Sequence, residues 1–220
     1  MPFHSRSEIL ATLRASLSHE RTIDALLVVE DPDGREISRH GGLWSPGDCR
    51  YVEIPGRDVV PNRKRLSKAQ VAPFREFLEW LGKAKAGDDS RWPLLQLAGG
   101  RGSGKTYLAF GFIATIVALE FPGEQAFGTV LNTDNRRECQ QHIAMVCNDD
   151  WITKFSTDTR DCYVEWVTGH RVTWVSAMNP KKLRQAGLPI RAVYLNECHL
   201  MPERIGADAM SACRNLGGLV

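Results

Sequence analysis

Eight residues in the middle of the chain, Gly99-Gly100-Arg101-Gly102-Ser103-Gly104-Lys105-Thr106, fit the pattern G-x-x-x-x-G-K-S/T at every fixed position. The chemistry such a run can do is to hold phosphate. Gly99, Gly102 and Gly104 open backbone conformations that a side chain would block, which turns successive N–H groups toward an anion. Lys105 is long enough to reach β- and γ-phosphates, and the Thr106 hydroxyl is a ligand for Mg²⁺. A nucleoside triphosphate such as ATP, with Mg²⁺, is the implied ligand pair.

A phosphate loop needs an acidic partner at the end of a neighbouring strand, to hold the Mg²⁺ hydration shell and to polarise an attacking water. The candidate is Arg191-Ala192-Val193-Tyr194-Leu195-Asn196-Glu197-Cys198-His199. Here an apolar strand ends on Glu197, but the preceding position carries the neutral amide Asn196 where Asp is expected. Its carbonyl oxygen still accepts a hydrogen bond from metal-bound water. It supplies no negative charge, so weaker Mg²⁺ binding is expected. Three readings stay open: slow hydrolysis with Asn tolerated, nucleotide binding with poor hydrolysis, or a substitution introduced to trap a bound state.

These groups must be positioned by a strand before the loop and a helix after it. Trp92-Pro93-Leu94-Leu95-Gln96-Leu97-Ala98 reads as a short buried strand, and Tyr107 to Leu119 as a helix apolar nearly all round. Strand, glycine loop and buried helix together aim a helix N-terminus at a phosphate. Upstream, Val71, Phe74, Phe77, Leu78 and Leu81 mark one face of a helix, with Pro73 placing its start. Downstream, strands are expected at 126–131, 163–167, 171–175 and 192–195, with Thr168-Gly169-His170 closing a hairpin. A helix is expected over 135–147, with Cys139, Ile143, Ala144 and Val146 inward, and a short one from about Ala207. Strands alternating with helices around a phosphate loop define a three-layer α/β fold with a mainly parallel sheet.

The N-terminal part is harder to read. Residues 5–20 have helical spacing, and Ala25 to Val29 looks like a strand entering the turn Asp31-Pro32-Asp33-Gly34. Residues 1–66 are otherwise taken as a leader of uncertain structure, and 67–220 as the core. Arg57, Arg63, Lys64, Arg65 and Lys68 face one acid, Asp58, over residues 57–68. Such a cluster is either a contact for DNA phosphates or a solvated loop.

Bulk properties exclude several classes. The chain has 220 residues, 43% hydrophobic and 25% charged, with a net charge of +2, as in an ordinary globular protein. That charge alone does not demand a polyanionic partner. Six scattered cysteines with no C-x-x-C pair argue against a zinc site or disulfide framework and fit a reduced, cytoplasmic setting. No stretch approaches the ~18 uncharged apolar residues of a membrane span, and the N-terminus lacks a signal-peptide core.

The phosphate loop, with Arg101 inside it, resembles the Walker A loop of viral (tailed-phage type) terminase large subunits, the ATPases that drive DNA into capsids. Val172-Thr173-Trp174-Val175-Ser176-Ala177, then Leu183-Arg184-Gln185, then Leu195-Asn196-Glu197 resembles the order of elements leading to Walker B in that family, with Gln185 where Gly is usual. Val130-Leu131-Asn132-Thr133 with Arg136 and Arg137 resembles the segment after Walker A. The likeness covers roughly residues 66–215. It implies an additional-strand P-loop ATPase core in which Gly99 to Thr106 bind nucleotide and Lys105 and Thr106 meet phosphates and Mg²⁺. By the same resemblance, Asn196 assists the metal, Glu197 positions water, and Arg101 offers positive charge to the γ-phosphate. Gln70, ahead of the first core helix, is a candidate adenine contact; the alternative is a contact at the helix N-terminus. Implied partners are double-stranded DNA, a portal, a small terminase subunit and further copies in a ring, in the host cytoplasm.

The sequence ends at Val220, before the coupling strand and nuclease domain of that family, so an incomplete sheet is expected. Two alternatives remain. Asn196-Glu197-Cys198-His199 also resembles a helicase D-E-C-H box, in which His199 would sense the γ-phosphate. Asn196 equally fits a nucleotide-binding module without turnover.

Overall fold

The computed structural model describes residues 22–87, 95–100, 102–158, 162–178 and 190–213. Within them lie two sheets and four α-helices. A sheet of order β3-β2-β1-β4 is built from β1 (Ile23–Glu30), β2 (Glu36–Ser45), β3 (Arg50–Tyr51) and β4 (Asn62–Arg65). A five-stranded sheet of order β6-β7-β8-β5-β9 is built from β5 (Gln125–Val130), β6 (Ile152–Thr157), β7 (Cys162–Trp166), β8 (Arg171–Ser176) and β9 (Ile190–Leu195). The helices are α1 (Lys68–Lys85), α2 (Ala114–Glu120), α3 (Thr133–Val146) and α4 (Ile205–Ala212). A π-helical stretch, Tyr107–Ile113, leads directly into α2.

In the second sheet β5 is parallel to both β8 and β9, whereas β6 and β7 are antiparallel. The sheet is therefore mixed rather than mainly parallel. The Thr168–His170 turn makes the β7–β8 hairpin as expected, and a hairpin forces antiparallel pairing. Gly128 in β5 lets Trp174 of β8 lie across it; a Cβ there would sit 2.3 Å from the indole. Helices cover both faces. Phe110 packs on Trp174 and Tyr194, with ring centroids 5.3 and 5.6 Å away. On the opposite face Met201, Ile205, Ala209 and Cys213 pack on Phe127, Val175 and Val193.

Helix α2 is buried all round because a second layer covers its far side. Tyr51 donates to the Leu119 carbonyl at 2.9 Å. Glu120 meets His40 at 2.9 Å and Lys85 at 2.5 Å. The Trp151 indole N–H donates to Asp24 O at 2.6 Å, and the Asn62 amide to Val146 O at 2.7 Å. The first sheet is thus pinned to the core by hydrogen bonds as well as by apolar contact. Residues 23–65, within the leader of uncertain structure, supply all four of its strands, the first of them over the expected Ala25–Val29.

Several expectations need correction. Residues 95–98 form no strand, and Gln96 and Ala98 are exposed, although Leu95 and Leu97 pack on the core. The run carries no β-branched residue and includes Pro93, so its strand preference is weak; its first residues, 92–94, lie outside the described ones. Helix α1 starts at Lys68, with Pro73 inside it. Its start is fixed by Ser67 and Gln70, a capping pair at the Ncap and third helical positions. On α3, Ala144 is exposed and Gln140 is buried instead. Residues 5–20 and 183–185 lie outside the described residues.

Candidate nucleotide site

The strand directions locate the site. Val130 pairs with Ser176 and Thr129 with Leu195, so β5, β8 and β9 end together. Just beyond, Ala177 N–H donates to Val130 O at 3.0 Å and Asn196 N–H to Thr129 O at 3.1 Å. The helix after the glycine loop runs against these strands. Near its start Phe110 touches Trp174 and Tyr194, late in β8 and β9. At its end the Phe121 carbonyl accepts from His170 Nδ1 at 3.0 Å, just before β8, and the Phe121 ring lies under the Arg191 guanidinium of early β9. The glycine loop and the Asn196–Glu197 turn therefore share the carboxyl edge of the parallel strands, where open α/β sheets bind ligands.

The loop is built on backbone that glycine alone adopts readily. Gly99, Gly102 and Gly104 have φ values of +154°, +79° and +79°, open to glycine and costly for other residues. Lys105 and Thr106 begin the helix. Lys105 arches back so that Nζ donates to Gly99 O at 2.7 Å and Gly100 O at 2.9 Å, with Ser103 Oγ at 3.4 Å. The ammonium thus ties the two sides of the loop together at the mouth of the cradle. Arg101 lies outside the described residues.

Gln70 is brought to this loop from α1. It is only 4% exposed. Its Oε1 accepts from Ser67 N–H at 2.8 Å, and its Nε2 donates to Gly104 O at 2.9 Å. The close approach needs glycine at 104, since a Cβ there would stand 2.6 Å from Nε2. The helix-terminal contact is present, and a contact to the phosphate loop comes with it.

Across the edge, Asn196 is buried and Glu197 is exposed. Glu197 has φ of +58°, a left-handed conformation that costs a non-glycine residue about 1 kcal/mol or more. Its carboxylate reaches solvent with His199 Nδ1 3.5 Å away. On α3, Arg136 Nε is buried and has no hydrogen-bond partner among the described residues. Sequence reading met Arg136 only as part of a motif, because burial of one guanidinium nitrogen leaves no mark in a sequence.

Three of the five basic candidates over residues 57–68 are engaged. Arg57 pairs with Asp24 at 3.3 Å, and Arg63 and Arg65 with Glu30 at 2.9 and 3.7 Å. Of the five, Lys64 and Lys68 have no acidic partner among the described residues. No group of three or more His, Cys, Asp or Glu residues among the described ones could hold a metal by itself. No described helix is long and apolar enough to cross a membrane.

No protein-family model and no curated protein matches the chain. Among solved structures it is similar to the large terminase ATPase domain of Thermus phage P74-26, at 19% identity and a TM-score of 0.40, over 64% of each chain. A single-substitution variant of that domain matches at 19% identity and 0.39, over 55% of each chain. The match thus spans less than two thirds of the solved chains.

Proposed function

We propose that this chain is an additional-strand P-loop ATPase core that binds ATP with Mg²⁺ at residues 99–106. The observation that carries this is the loop's own geometry. Three glycines at positive φ and a lysine folded onto the Gly99 and Gly100 carbonyls open a buried helix at the carboxyl edge of parallel strands. Backbone N–H groups and the helix N-terminus there favour an anion. The loop takes all three donors of the Lys105 ammonium, and the longest of these bonds, 3.4 Å to Ser103 Oγ, is the one to exchange for a phosphate oxygen.

The residues present fit a loop-held Mg²⁺. Such an ion keeps several waters and takes few protein ligands, so one hydroxyl and one amide oxygen suffice without an acidic cluster. Thr106 and Asn196 would hold it and its hydration shell. When bound, Mg²⁺ neutralises charge on the β- and γ-phosphates. Glu197, exposed at the strand end, orients the attacking water and accepts its proton. Arg101 adds positive charge near the γ-phosphate.

The finer reading follows the sequence resemblance: a motor domain of the terminase type, working on double-stranded DNA as a ring with portal and small-subunit partners. The ion pairs of Arg57, Arg63 and Arg65 weigh against those residues as its DNA contacts. Asn196 favours a second reading, a module that binds nucleotide with little turnover. Titration with ATP and measurement of phosphate release separate them. Binding with Asn196→Asp raising turnover supports the motor, whereas binding with no turnover in either form supports the module. No binding by the wild type overturns both.

A further inference from the structure

Both ends of the Gln70 amide are engaged, the side chain is only 4% exposed, and the two partners allow one orientation. Ser67 N–H can only donate, so the atom 2.8 Å from it is the oxygen; Gly104 O can only accept, so the atom 2.9 Å from it is the nitrogen. A glutamine that reads adenine must offer its oxygen to the exocyclic amine and its nitrogen to a ring nitrogen. Here the oxygen holds the start of α1 and the nitrogen holds the last glycine of the loop, in a place too tight for any side chain at position 104.

The connection runs further. Leu66 N–H donates to Glu30 O at 2.9 Å, continuing the pairing of β1 with β4 up to Ser67. Leu66 and Gln70 are both buried. The first sheet, the start of α1 and the phosphate loop therefore form one hydrogen-bonded path.

We infer that Gln70 is a positioning residue that fixes the Gly104 peptide for phosphate binding and is blind to the nucleobase. This rests on the phosphate-site reading of residues 99–106. It makes the site a receptor for the triphosphate, with the Gln70 contribution the same for any base.

The test is the affinity of the full chain for ATP, GTP and inorganic tripolyphosphate, in wild type and two variants. Gln70→Glu keeps an oxygen for Ser67 N–H but has no donor for Gly104 O, so the helix start is preserved. Gln70→Met removes the donor without adding charge. The expected result is a loss of about tenfold or more for all three ligands alike in both variants; the buried carboxylate of Gln70→Glu also lowers the melting temperature, so the uncharged Gln70→Met carries the comparison. Loss for ATP alone, or unchanged tripolyphosphate binding in Gln70→Met, overturns the inference while leaving the phosphate site intact. If wild type binds none of the three, the phosphate-site reading itself falls and takes the inference with it.

Discussion

The two edges of the five-stranded sheet are built on opposite terms. At the amino edge charge is paired and shielded. Arg191 meets Glu124 at 2.6 and 3.0 Å and lies 4.1 Å over the Phe121 ring. Beside them His170 is fully buried, and Glu120 is held between His40 and Lys85. At the carboxyl edge Glu197 projects to solvent from a left-handed residue, Arg136 Nε lacks a partner among the described residues, and Lys105 is bonded only to its own loop. One edge stabilises the fold. The other keeps charged groups available, in keeping with its proposed binding role. Variants should therefore divide: amino-edge changes move stability and leave ligand affinity, and carboxyl-edge changes do the reverse.

The largest expected effect is at His170. Burial pushes its imidazole down to about 4, and its Nδ1 already donates to Phe121 O. The unfolded chain takes up a proton near 6.5 while the folded one resists until about 4. Stability is therefore complete above that upper value and falls as pH drops between the two, by about 3 kcal/mol. His170→Gln should flatten urea-unfolding free energy across this window; an unchanged slope would refute the assignment. Next, Lys105→Ala should weaken ATP binding about 100-fold, since it removes a charge-assisted phosphate contact, with little change in melting temperature. Calorimetric titration checks the first and a thermal melt the second. Glu124→Ala should cost about 2 kcal/mol by removing the two charge-assisted bonds to the buried Arg191 guanidinium, with ATP affinity unchanged. Asn196→Asp is the smallest, a rise of about tenfold in phosphate release, because it restores a negative oxygen beside the metal. An amino-edge variant that altered affinity as much as stability would erase the distinction between the edges.

Much of this arrangement was legible in the sequence, and the omissions have physical causes. The glycine loop, its apolar helix, β5, the β7–β8 hairpin and β9 declare themselves by motif or by runs that are buried in the fold. In the first sheet only β1 does, through the run Ala25–Val29. In β2 the buried residues are His40, Leu43, Trp44 and Ser45, with no alternation of apolar and polar. Strand β4, Asn62-Arg63-Lys64-Arg65, is a polar edge strand that reads as a charged loop. The start of α1 is hard to place from sequence because Pro73 is a louder signal than Ser67 and Gln70 three residues apart. The carboxyl-edge geometry was less legible still: nothing in Asn196-Glu197 announces a left-handed backbone, and a glutamine bridging a helix cap and a phosphate loop is a property of two segments at once.

The π-helical stretch Tyr107–Ile113 carries a consequence for register. At its end Ala114 N–H bonds to Ala109 O, five residues back, so one residue per turn is extra relative to α2. Each residue of an α-helix turns the chain by about 100°. Deleting one residue from this stretch would let the helix close in ordinary α form while Phe112 and the residues after it kept their places. Lys105 and Thr106 would then keep nearly their present phase, whereas closing the stretch in α form with all its residues would swing them by about 100° away from the edge they now face. The wide turn works as a gear tooth, setting the phase between a buried rod and the loop mounted on its end.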